Sequence, residues 1–69
     1  MKFYINYWHL TKFKDLPWEN NTEIDDLGMG IKHLTHITEH ILERGYNVMV
    51  KRMGDDYIIF IDNGNFRQS

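Results

Sequence analysis

The chain opens on an alternation of period two and then changes rhythm twice. In Lys2-Phe3-Tyr4-Ile5-Asn6-Tyr7-Trp8, residues Phe3, Ile5 and Tyr7 fall on one side and Tyr4 and Trp8 on the other. Aromatic and β-branched side chains suit a pleated backbone, so this stretch predicts a strand with bulky groups on both faces. From Leu27 to Arg44 the period becomes helical, placing Leu27, Ile31, Leu34, Ile37, Thr38, Ile41 and Leu42 on one face. Asp25 or Asp26 is the expected N-cap, because a carboxylate there accepts from unpaired amides and complements the helix dipole. Gly28 and Gly30 weaken the first turn, which leaves Ile31 as an alternative start. Gly45 occupies the place of the left-handed residue that closes a helix, with Tyr46 packing back on Ile41.

A hairpin follows. Tyr46–Met53 and Asp56–Asp62 are strand-like and flank Gly54-Asp55, a glycine-first pair suited to a type II′ turn. Closing it there pairs Val50 with Ile59 and Val48 with Ile61, a face that should meet the helix. Met49, Ile58 and Phe60 point the other way. Tyr57-Ile58-Ile59-Phe60-Ile61 is apolar without interruption, as expected of a strand covered on both sides, and so belongs in the centre. The pattern therefore predicts an α+β fold: a three-stranded antiparallel sheet of order 1-3-2 with one main helix on one face, in chain order β-loop-α-β-β.

One helix covers one face of such a sheet. The other face, with Tyr4, Trp8, Met49, Ile58 and Phe60, needs a second cover. The segment Thr11–Asp26 is a candidate, since Phe13, Leu16 and Trp18 could fold back over it, with Leu16-Pro17 marking a turn and Asn21 or Thr22 capping a short helical turn. A second molecule is the other. A connection of this length without its own periodicity tends to be functional.

Composition sharpens this picture. The 69 residues make one domain, residues 1–69, and contain no cysteine. A chain this short has a small core, which needs dense packing, self-association or a permanent partner in place of disulfides. Net charge is −2, too close to neutral to point to a general nucleic-acid binder. No apolar run approaches 18 residues and the N-terminus lacks a signal peptide's features, so the expected location is the cytoplasm, or the host cytoplasm if the chain is viral. Alanine is absent while Ile, Asn, Lys, Tyr and Asp are plentiful, a usage that fits an AT-rich genome such as those of many phages.

Three groups of residues bear on chemistry. His33, His36 and His40 lie within about 60° of one another on a helix, and His36 and His40 are i,i+4 neighbours. Such a pair can share a zinc ion, although Ile37 after His36 departs from the His-Glu-x-x-His motif. Read with the apolar stripe, the three belong to the opposite, solvated face, so no metal and no cofactor is expected, with His36 and His40 the candidates if one binds. His9, Lys12, Lys51 and Arg52 supply acid–base groups, but no spacing brings them to one cleft, and the chain is not expected to be an enzyme. Gly28-Met29-Gly30 is not a phosphate loop, because no further glycine or Gly-Lys-Ser/Thr follows.

Asp15, Glu19, Glu23, Asp25 and Asp26 lie between Lys14 and Lys32 with no intervening cation. Set beside Trp18, this acidic segment suits a protein partner, while its bland role is solvation and helix capping. Lys51, Arg52, Arg44 and Arg67 could accompany Tyr4, Trp8 and Phe60 in stacking on single-stranded nucleic acid, but Asp55, Asp56 and Asp62 in the same hairpin oppose phosphate. The expectation is a non-catalytic protein-binding module, such as a small phage or mobile-element inhibitor or modulator of a host or defence protein. Its expected contact residues are Trp18, Trp8, Tyr4, Asp15, Glu19, Glu23 and Phe60. The alternative is a nucleic-acid-binding regulator, followed by a histidine- or metal-dependent enzyme; a homodimer is also open. No membrane partner is expected.

Overall fold

A computed structural model describes residues 1–8 and 13–62. Its elements are β1 (Lys2–Tyr7), β2 (Glu23–Asp25), α1 (Ile31–Glu43), β3 (Asn47–Met53) and β4 (Asp56–Asp62). The sheet is four-stranded and mixed, in the order β2-β1-β4-β3. The expected hairpin register is observed, with Val50 opposite Ile59 and Val48 opposite Ile61. Gly54 alone in the turn has positive φ, at 61°, as a type II′ turn requires of its first central residue. The apolar strand β4 lies between β1 and β3, as its sequence predicts.

The expected three-stranded antiparallel sheet is corrected in two linked ways. Residues Glu23–Asp25 form an additional edge strand, antiparallel to β1, with Phe3 opposite Ile24. β1 is parallel to β4, with Ile5 opposite Ile59. The first difference causes the second. Each element reverses the direction of the one before it, so an extra passage between β1 and α1 inverts the direction of everything that follows.

α1 begins at Ile31, the later of the two starts expected from sequence, and neither Asp25 nor Asp26 caps it. Asp25 belongs to β2, and Gly30 stands at the N-cap without a side-chain bond. Asp26 instead closes a turn, its Oδ1 accepting from the Gly28 amide at 3.2 Å and its carbonyl from Met29 at 2.9 Å. At the other end Gly45 takes φ 88° and its amide donates to the Leu42 carbonyl at 3.0 Å, the expected helix stop.

The core lies between α1 and one face of the sheet. It joins Phe3, Ile5 and Tyr7 of β1, Ile59 and Ile61 of β4, Leu34, Ile37 and Ile41 of α1, and Leu16 from the connection. Phe13, Trp18, Ile24, Tyr46, Val48 and Tyr57 pack around it. The helix is rotated relative to the expected stripe: Ile31 and Leu42 are about half exposed, at 49% and 53%.

Candidate functional site: the open face of the sheet

Phe13, Leu16 and Trp18 of the connection lie on the same side as the helix. Leu16 is 2% exposed within the core, Phe13 stacks on Tyr46 with ring centres 4.4 Å apart, and Trp18 meets His40 edge-on at 5.7 Å. Tyr7 anchors the segment twice. Its hydroxyl donates to the Trp18 carbonyl at 2.5 Å, and its amide donates to Asn20 Oδ1 at 3.0 Å. The Asn21 amide then donates to the Ile5 carbonyl at 2.7 Å, and Ile5 donates to the Thr22 carbonyl at 2.9 Å, which feeds the chain into β2. Thr22 Oγ1 bonds the amide and carbonyl of Glu19, closing a turn rather than capping a helix. The described part of the connection is thus used on the helix side. It does not cover the opposite face.

That opposite face can be read row by row from the strand registers. One row runs Glu23, Tyr4, Ile58, Lys51 from β2 to β3. The next toward the β1 C-terminus holds Asn6, Phe60 and Met49. On the other side, Asp25 pairs with Lys2, whose amide donates to Asp56 Oδ1 at 3.0 Å, and Asp56 pairs with Met53. Trp8 continues the face beyond Phe60, meeting it edge-on at 5.6 Å. Tyr4, Ile58 and Phe60 are half-buried by their strand neighbours, while Trp8, Met49 and Met53 remain 36%, 39% and 46% exposed. This is a contiguous apolar patch with charged edges. Lys2 forms an ion pair with Glu23, which holds its ammonium above the usual lysine range.

The residues expected to bind a partner separate onto two sides. Tyr4, Trp8, Phe60 and Glu23 lie on the open face. Trp18 and Asp15 lie on the helix side, where the Tyr46 hydroxyl donates to Asp15 Oδ1. Glu19 is exposed in the turn between them. Met49 and Met53 also lie on the open face and were not among the expected contact residues. Their alternation with Val48, Val50 and Arg52 carries the signal.

The histidines are not all on a solvated face. His33 is half-buried against the Phe3 ring at 6.0 Å, and His40 lies between Trp18 and Arg44, whose guanidinium is 3.1 Å from its Nδ1; among the described histidines only His36 is exposed. The rotation of α1 explains this, since it brings the histidine flank toward the aromatic rings. Among the described residues no three or more His, Asp or Glu side chains are arranged to hold a metal ion. His9, Thr11, Lys12 and Arg67 lie outside the described residues. A shallow groove beside His40 is lined by Lys14, Asp15, Leu16, Pro17 and Arg44.

Burial raises the Tyr7 phenol above its ordinary value, helped by the charges of Glu19 and Asp15. Tyr46 is raised mainly by its hydrogen bond to Asp15. These shifts lead away from neutrality, so neither phenol is tuned for proton transfer at neutral pH. They do set a pH dependence of folding. An unfolded tyrosine ionises near pH 10, about where the folded phenols still hold their protons. The native state therefore binds more protons above that point, and stability falls as pH rises. Tyr7→Phe is expected to cost about 1 kcal/mol at neutral pH through the lost bond to the Trp18 carbonyl. It should also reduce the alkaline loss without removing it, because Tyr46 remains. Urea unfolding at neutral pH and near pH 11 checks this; an unchanged pH dependence would contradict it.

Comparison with protein-family models, curated proteins and solved structures finds no match. Among the described residues no helix is long and apolar enough to cross a membrane.

Proposed function

We propose that the chain is a non-catalytic protein-binding module whose interface is the open face of the sheet. The carrying observation is the contiguous patch of Tyr4, Trp8, Met49, Met53, Ile58 and Phe60, which neither the helix nor residues 13–26 cover. Exposed apolar surface rimmed by charge favours protein association, and tryptophan and tyrosine are frequent energetic anchors. A role as an inhibitor or modulator fits so small a domain, since occupying a partner's surface requires no catalytic group of its own.

Charge placement favours protein over nucleic acid as the ligand. Lys2 and Lys51 share the open face with Glu23, Asp25 and Asp56, so phosphate would meet more acid than base. Arg52 belongs to the other face, with its Nε donating to the Gly54 carbonyl at 2.9 Å. The test is capture by immobilised chain after nuclease treatment, comparing wild type with a folded Tyr4→Ala/Trp8→Ala variant. A near-stoichiometric protein held by wild type and lost by the variant is expected. Retention of that protein at full level by the variant, or recovery of nucleic acid without nuclease and nothing with it, would overturn the reading.

A further inference from the structure

We propose that the occupant of the open face is a second copy of this chain, docked face to face about a two-fold axis parallel to the strands. The proposal rests on the reading of that face as a protein interface and names its partner. The argument is the order of charges across the sheet.

With four strands in the order β2-β1-β4-β3, an axis midway between β1 and β4 places β2 of one copy over β3 of the other. It also places β1 over β4. Each row of residues then meets the same row reversed. The row Glu23, Tyr4, Ile58, Lys51 is acidic at one end, basic at the other and apolar between. Reversed onto itself, it puts Glu23 over Lys51 twice and Tyr4 over Ile58 twice. In the neighbouring row Lys2 lies beside Asp56, and reversal sets each over the other's counterpart. The first row is therefore self-complementary under this operation, as a two-fold interface demands, and in the second the inner pair Lys2 and Asp56 is complementary while Asp25 meets Met53.

The alternative in-plane axis, perpendicular to the strands, fails on the same charges. It lays β2 over β2 and so brings Glu23 and Asp25 against the partner's acidic edge. A foreign partner would have to present this reversed order independently, whereas a copy already carries it. Aligned sheets pack about 10 Å apart, and in the third row the same axis sets Phe60 over the partner's Asn6.

Size sets the strength. Four strands about 4.8 Å apart and about 20 Å long present roughly 400 Å². Two such faces bury about 800 Å², below the roughly 1,200–2,000 Å² of standard stable interfaces, so a weak dimer dissociating at about 100 micromolar or above is expected.

Sedimentation equilibrium of the full chain, from micromolar to millimolar, tests the proposal. Wild type should pass from monomer to dimer. Glu23→Lys and Lys51→Glu should each weaken the dimer about tenfold or more, since each sets like charges opposite twice. An equimolar mixture of these two variants should associate more tightly than either alone, and the variant carrying both changes should dimerise like wild type. Circular dichroism of each variant controls for folding, and the double variant keeps the test decisive if Glu23→Lys, which deprives Lys2 of its partner, perturbs the monomer.

A wild type that stays monomeric to millimolar concentration overturns the proposal, as does a mixture no tighter than its components. If wild type is monomeric but a captured foreign protein is lost on substituting the open face, only the identity of the partner falls. If neither self-association nor capture depends on that face, the interface reading falls with it.

Discussion

Phe3→Ala is expected to leave the chain largely unfolded at room temperature. Phe3 has no exposed surface and sits where β1, β4 and α1 meet, with its ring centre 6.0 Å from that of His33 and 6.1 Å from that of Tyr57. Truncating a buried phenylalanine costs about 3–5 kcal/mol through lost transfer energy and the cavity left behind. A core in a chain of this size, without disulfide or metal, supplies about the same amount in total. The hole is also hard to refill, because the rings packed on it, His33 and Tyr57, are carried on α1 and β4. Thermal unfolding followed by circular dichroism should show a cooperative transition for wild type and little or none for the variant. A variant melting within a few degrees of wild type would mean that the packing around Phe3 has been misread.

Phe60→Lys should have the opposite profile, with a small effect on folding and a large one on association. Phe60 is half-buried by its strand neighbours and Trp8, so the monomer loses mainly the edge-on ring contact, worth about 1 kcal/mol. In a complex the same position lies at the centre of the covered patch. Lysine there loses the aromatic contact and forces an ammonium group either to leave water or to hold the surfaces apart. Central aromatic anchors typically cost 2 kcal/mol or more when removed, and the added charge should bring the loss to about 100-fold in affinity. Urea unfolding and sedimentation of the same sample separate the two effects. Weakened association with a preserved fold is expected; full affinity with a preserved fold would remove Phe60 from the interface.

These two phenylalanines show which parts of the structure could be read from the sequence. Phe3 and Phe60 lie in strands whose alternation assigns their faces, and the hairpin register follows from Gly54-Asp55. Val48, Ile59 and Ile61 join or pack on the core as expected and β4 takes the central place for the same reason, whereas Val50, on the edge strand, is left exposed. β2 could not be read. Three residues, Glu-Ile-Asp, are too few to express a period, and they form a strand because Asn21 and Thr22 exchange backbone bonds with Ile5. Missing that passage inverts the direction of all later elements, which accounts for the antiparallel expectation.

The segment around Trp18 was legible in content but not in placement. Phe13, Leu16 and Trp18 announce that it packs on something. Which face it takes depends on the end of β1, where the hydroxyl and amide of Tyr7 draw it to the helix side. The helix phase went astray for a related reason. Ile31 and Leu42 pull the apolar stripe one way, while the rings of Phe3 and Trp18 hold His33 and His40 on the other. Imidazole has an apolar body that can pack at the margin of a core, a property that a binary reading of helix faces overlooks.

The methionines offer the most direct test of the open face as the interface. Met49 and Met53 lie on it, whereas Met29 is exposed in the turn before α1. With methyl-labelled methionine, NMR spectra would be recorded through a dilution series of the chain and again with any captured protein. The Met49 and Met53 methyl resonances should move together as the complex forms, while that of Met29 stays in place. A complex that shifts Met29 and leaves Met49 and Met53 unchanged would place the interface on the helix side and contradict the account.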